Sequence, residues 1–201
     1  MIGGKENKMR ICLYGAASPT IDKEYIEKVE ILGKEIAKRG HSLVFGGGAN
    51  GLMGAAARGV RSENGYILGV IPEFFCQESV EVVYDNCDKL IRPNTMRERK
   101  QIMDDNADAF IIVPGGIGTF EEFFEILTLK QLCRHNKPIA IYNVKNYYDE
   151  LVKMLEIATE KEFIRGGCMD LFKLCNNIEE LFNYIEKPTD KTYTIKQLKN
   201  G

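Results

Sequence analysis

The chain has no tryptophan, and in its 201 residues only two histidines, His41 and His135. They lie far apart, so a histidine-based metal site is not expected. The six cysteines, at positions 12, 76, 87, 133, 168 and 175, form no CxxC pair. That removes the common zinc and redox motifs. A chain of this length needs no disulfides to hold its core, which points to a reducing, cytoplasmic compartment. Cys12 falls in an apolar run and reads as a small buried hydrophobe. No apolar run approaches the ~18 residues of a membrane span. The first nine residues, with Gly3, Gly4, Lys5 and Lys8, read as a frayed lead-in and not as a signal peptide. A formal net charge of -2 gives no global attraction to nucleic acid or to an anionic membrane, and neither is expected as a partner.

What is present is a regular alternation. Apolar runs at Arg10–Tyr14, Ser42–Phe45, 66–71, 89–92, 109–113 and 138–142 read as strands. Helical spacing follows them at 24–39, from the glycine loop to about 64, and at 95–104, 120–134 and 147–158. Thr95 with Glu98 has the spacing of a capping box. Strands alternating with helices of this length predict βαβ units. The expected fold is α/β and Rossmann-like, in three layers, with a central parallel sheet and helices on both faces. A single domain over 1–201 is expected. Further on, 171–174 reads as a strand and Ile178–Ile185 as a helix. The strand-like run 192–195 leads a segment, 190–201, that reads as an edge strand, an arm or a tail.

Two glycine-rich loops fall at predicted strand ends, where ligands of parallel sheets bind. The first is Gly46-Gly47-Gly48-Ala49-Asn50-Gly51-Leu52-Met53-Gly54. It is neither a Walker loop nor a full dinucleotide fingerprint, because no acidic residue follows at the spacing that reads a ribose. The second is Pro114-Gly115-Gly116-Ile117-Gly118-Thr119-Phe120-Glu121-Glu122. Its glycines and the helix start after them predict a phosphate seat. Thr119 and Glu122, one turn apart, face one side. Glu121 points about 100° away, as a carboxylate favoured by the helix dipole. A third stretch, Asn94-Thr95-Met96-Arg97-Glu98-Arg99-Lys100, places cations in a helix's first turn. That opposes the dipole and calls for solvent or an anion.

These three ordered motifs resemble the LOG family, the cytokinin riboside 5'-monophosphate phosphoribohydrolases long mislabelled as lysine decarboxylases. Secondary echoes are Tyr14-Gly15-Ala16-Ala17-Ser18, Gly69-Val70-Ile71-Pro72 and Asn143-Val144-x-x-Tyr147-Tyr148. The likeness covers roughly 10–163. It implies hydrolysis of the N-glycosidic bond of a purine nucleoside 5'-monophosphate, giving free base and ribose 5-phosphate. Arg99 and Glu122 match the family's catalytic pair. Substrate contacts are implied at Gly15, Ser18, Gly47, Gly48, Met53, Met96, Lys100, Gly115, Gly116, Ile117, Gly118 and Thr119. The resemblance also implies a homodimer with active sites near its interface. Three departures stand out: Arg97 replaces the usual histidine, Ile117 a frequent tyrosine, and Ala16-Ala17 a common pair of serines.

The chemistry so implied needs no metal and no cofactor. A carboxylate at Glu122 would stabilise a ribosyl cation and orient the attacking water. Arg99 would donate hydrogen bonds to the leaving base, although its high pKa makes it a poor acid. No general acid is evident. Adenine and an N6-prenylated adenine remain alternative bases, with Met96, Met103, Ile117 or partner residues as lining. The alternative function is a non-catalytic nucleotide carrier or sensor, which would keep the glycine loops but need no Glu122. A nicotinamide oxidoreductase lacks its fingerprint, and a pyridoxal phosphate decarboxylase lacks a lysine in a pocket context.

Overall fold

The computed structural model describes residues 8–78, 81–187 and 193–199. Among them, seven strands form one sheet: β1 (Arg10–Tyr14), β2 (Ser42–Phe45), β3 (Ile67–Val70), β4 (Lys89–Ile91), β5 (Ala109–Ile112), β6 (Ile139–Tyr142) and β7 (Lys173–Cys175), in the order β4-β3-β2-β1-β5-β6-β7. Every pairing of these strands is parallel, as predicted. Parallel strands are covered on both faces, so they need apolar side chains at successive positions. Phe110 and Ile112 of β5 turn to one face and Ala109 and Ile111 to the other, all fully buried.

Three helices, α1 (Lys23–Lys38), α2 (Gly51–Ser62) and α7 (Ile178–Ile185), cover the first face. Helices α4 (Met96–Asp105), α5 (Ile117–Gln131) and α6 (Asp149–Glu160) cover the second. Two short helices, α3 (Glu73–Gln77) and α8 (Ile195–Lys199), complete the order. Helices α1 and α2 meet at backbone distance. A Cβ on Gly33 would collide with the Ala56 carbonyl, and one on Gly59 with the Glu30 carbonyl. The alanines Ala55, Ala56 and Ala57 complete this small-residue crossing.

The chain leaves β1 toward β2 on one side, while β5 lies on the other. The topological switch point is therefore between β1 and β5. At their carboxyl ends Ala16 N donates to Pro114 O at 3.1 Å, which ties the two loops side by side.

Several sequence expectations shift. Helix α5 starts at Ile117, three residues before the expected 120, because Gly116 takes the extended cap conformation and Gly118 does not interrupt the first turn. Helix α6 starts at Asp149 and not at 147, because Lys145 and Asn146 both adopt left-handed backbone, with φ of 54° and 60°. The strand expected at 171–174 is Lys173–Cys175, preceded by a 3-10 turn, Gly166–Leu171. The expected strand at 192–195 gives way to α8 from Ile195, with Leu198 buried against Cys168 and Leu171. Thr192 lies outside the described residues, as do 1–7 of the expected lead-in and 190–191 and 200–201 of the expected arm.

Candidate functional site

The two glycine loops play different parts. In the first, Gly47 and Gly51 hold left-handed φ of 79° and 59°, which glycine adopts without strain. The amides that open α2 are already satisfied: Leu52 N and Met53 N both donate to Ala16 O, at 2.8 and 3.3 Å. Residues 82–84 run antiparallel beside this loop, with Ala49 N bonded to Val82 O at 2.7 Å and Tyr84 N to Gly47 O at 2.8 Å. This loop is a joint between elements. It also forms a wall.

The second loop is open. The amides of Ile117, Gly118 and Thr119 have no protein acceptor among the described residues. They carry the positive end of α5, a helix of 15 residues. A Cβ on Gly116 or Gly118 would meet nothing within 4 Å. Internal packing therefore does not explain either glycine. Gly115 is different, because Thr119, only 4% exposed, occupies the space its Cβ would need. Two adjacent tyrosines fix the loop from behind. Tyr147 OH donates to Gly115 O at 2.7 Å, and Tyr148 OH to Val113 O at 2.8 Å. They follow the left-handed pair Lys145 and Asn146, a locally strained arrangement of the kind found at functional sites.

Arg99 and Glu122 stand between the loops, 5% and 9% exposed. The capping box predicted for α4 is present: Glu98 N donates to Thr95 Oγ1 at 3.1 Å, and Thr95 N to Glu98 Oε2 at 3.3 Å. That cap starts α4 in the register that turns Arg99 inward. Arg99 Nε then donates to Val70 O at 3.1 Å and Nη2 to Gly46 O at 3.4 Å, which anchors the guanidinium on the ends of β3 and β2. Its Nη1 lies 3.8 Å from Glu122 Oε1, an ion pair too long for a strong hydrogen bond. Burial pushes Glu122 up to about 7; Arg99 opposes the shift, while Glu121 and Glu81 add to it.

Glu81 was not foreseen. Its Oε2 is buried with no hydrogen-bond partner and lies against Gly48, and burial raises its pKa against the pull of Arg99. No periodicity marks the polar run around it. Only its pairing with the first glycine loop brings it here. A cleft of ≈ 480 Å³ opens beside it, lined by Ala17, Ser18, Pro19, Gly48, Asn50, Phe75, Glu81 and Val82. That volume suits a nucleotide-sized ligand.

A family model described as "Possible lysine decarboxylase" matches residues 53–185. A cytokinin riboside 5'-monophosphate phosphoribohydrolase from Mycobacterium tuberculosis is 37% identical over 170 residues, spanning 85% of this chain and 89% of that protein. The Arabidopsis thaliana protein of that name, LOG2, is 32% identical over 187 residues, spanning 93% of this chain and 87% of its own length. The chain belongs to the LOG family. A molybdenum cofactor binding protein from Rippkaea orientalis shares the fold, with a TM-score of 0.68 and 22% identity over 90% of this chain and 96% of that one.

The motifs that carried the resemblance to the LOG family converge only in part. Arg99, Glu122, Gly46, Met53 and Met96 form one cluster: Met53 Sδ would stand 3.1 Å from a Cβ on Gly46, and Met96 Sδ is 4.0 Å from Arg99 Nη1. Ser18 and Gly48 line the cleft. Gly15 packs against Val113 beneath it. Lys100 instead pairs with Glu121 at 2.5 Å and Glu125 at 2.8 Å. The first of those pairs gives Glu121 a partner besides the helix dipole. Met103, considered as pocket lining, is fully buried in the core.

Proposed function

We propose that this LOG-family protein hydrolyses the N-glycosidic bond of a purine nucleoside 5'-monophosphate, releasing the free base and ribose 5-phosphate. The observation that carries the reading is the buried Arg99–Glu122 pair, set between an open anion seat and a nucleotide-sized cleft. The 5'-phosphate sits on the amides of Ile117, Gly118 and Thr119, and the sugar and base extend toward the cleft past Met53, Met96, Gly47 and Gly48. Bond cleavage builds positive charge on the ribose. Glu122 stabilises that charge and, when ionised, takes a proton from the attacking water. Its pKa of about 7 suits that exchange near neutral pH. Arg99, held by two backbone carbonyls, donates a hydrogen bond to the departing base, which takes its proton from solvent water while Glu122 returns to solvent the proton it took. The orphaned Glu81 oxygen accepts from a ribose hydroxyl or the base. A carrier would need no carboxylate at Glu122.

The same proposal makes the chain a single domain, a cytoplasmic protein and a homodimer with the site near the interface. The 87% exposure of Ile117, an apolar residue beside the seat, supports the dimer. Whether the base is adenine or N6-prenylated adenine is decided by the assay that tests the activity. Base release is followed by chromatography with AMP, N6-isopentenyl-AMP, IMP, GMP, CMP and adenosine. Release from a monophosphate but not from adenosine is expected. No release from any, with a monophosphate still bound, replaces the reading with a carrier or sensor.

The tyrosine clamp makes a separate expectation. Tyr147→Phe removes one hydrogen bond from the Gly115 carbonyl and lowers stability by about 0.5–1.5 kcal/mol. Its kinetic effect falls on KM for the monophosphate, while kcat stays near wild type. An equal loss in kcat would make the hydroxyl part of the chemistry.

A further inference from the structure

The C-terminal half of α5 borders a second cavity, of ≈ 250 Å³, lined by Lys130, Cys133, His135, Asn136, Leu171 and Tyr193. Lys130 is 6% exposed, and among the described residues no hydrogen bond or ion pair holds its ammonium. Its stem is buried while its ammonium still reaches the cavity, and a cation so placed is normally paired. Burial alone lowers its pKa to about 8.

Among the described residues the cavity wall offers it no anion. His135 Nε2 is bonded to Ile126 O at 2.9 Å, and Nδ1 accepts from Lys137 N at 3.2 Å. Burial also keeps that ring's pKa low. Nearby, Lys137 Nζ lies 2.9 Å from Asp104, and Tyr193 OH donates to Asp170 at 2.7 Å. The Cys133 thiol is bonded to Tyr193 O at 3.2 Å. Lys130 therefore faces a small space with one positive charge, an amide at Asn136 and an apolar surface at Leu171.

We propose that this cavity binds a small organic carboxylate, with its charged end on Lys130 and its apolar body against Leu171 and the Tyr193 ring. A phosphate dianion fits less well, because it collects several charged or backbone donors. The seat at the other end of α5 presents three amides to one point. Among the described residues that line the cavity, Lys130 brings one ammonium and there is no guanidinium.

The test uses the full chain labelled with ¹³C at the lysine ε-carbons. The Lys130 resonance is identified by its low titration midpoint in the wild type and its absence from Lys130→Met. Butyrate and inorganic phosphate are titrated separately. Butyrate is expected to shift the Lys130 resonance saturably and raise its midpoint, and phosphate to leave it in place. Melting is the second readout: butyrate raises the Tm of the wild type and not of K130M, and K130M without ligand melts above the wild type. The proposal is overturned by no saturable shift with butyrate at tens of millimolar, by a shift with phosphate alone, or by equal Tm responses in the two proteins. The wild-type titration decides the matter even where K130M folds poorly.

Discussion

Glu122→Gln is expected to bind a nucleoside monophosphate as the wild type does and to release base about 10²–10⁴-fold more slowly. Glutamine keeps the shape of the side chain and removes the charge that faces the ribose and the water. The wild-type kcat/KM is expected to climb through about pH 7, as Glu122 ionises in the free enzyme. That limb should be missing from any residual activity of E122Q. Stability gives an independent reading. Glu122 keeps its proton to about pH 7 in the fold, against an ordinary value of 4.5. The native state therefore binds the extra proton between those values. Its contribution is fully present below about 4.5 and is lost as pH rises through about 7. Over that window E122Q should gain on the wild type by up to roughly 3 kcal/mol, read by urea unfolding at pH 5 and pH 8. Near-normal turnover by E122Q would remove Glu122 from the mechanism. A flat stability difference would mean that the carboxylate titrates normally.

Gly118→Ala separates function from folding in the opposite sense. Apart from its chain neighbours and its own helix backbone, a methyl group there meets no atom within 4 Å, and alanine in the first turn of α5 should stabilise the helix by about 0.5–1 kcal/mol. The variant should melt at or above the wild-type temperature. Yet the methyl group enters the space onto which the amides of Ile117, Gly118 and Thr119 open. The expected result is a KM for the monophosphate raised at least about tenfold, since loss of one or two charge-assisted hydrogen bonds is worth that much. Inhibition by ribose 5-phosphate should weaken in parallel. An unchanged KM in a well-folded G118A would place the phosphate elsewhere.

The layer order of this protein was legible because buried parallel strands leave an unambiguous trace. Runs such as Ile11-Cys12-Leu13-Tyr14 and Ala109-Phe110-Ile111-Ile112 are apolar at every position, and glycines or polar loops close them. The capping box at Thr95 was legible for a similar reason, being a local device with fixed spacing. What failed to show is non-local. Nothing near Glu81 in the chain indicates that its carboxylate lies under Gly48; only the pairing of 82–84 with the first loop brings it there. Helix α5 starts earlier than its glycines suggest, because Gly118 sits inside the helix. The division of labour between the glycine loops was also hidden. Both carry the same residue type, and only the Ala16 carbonyl, reaching the amides of Leu52 and Met53, distinguishes joint from seat.

The crossing of α1 on α2 bears on how this site can change over time. Gly33 and Gly59 let the two backbones touch, so the axis of α2 has no slack. Ala56 at that contact is five residues, or about 7.5 Å, from the helix start at Gly51. Any side chain introduced at the crossing acts as a wedge on a short lever whose far end is the wall facing Arg99. The first loop is thus aligned from outside the cleft. Mutational drift at this buried crossing is felt at the cleft wall, although no residue of the crossing lines the cleft.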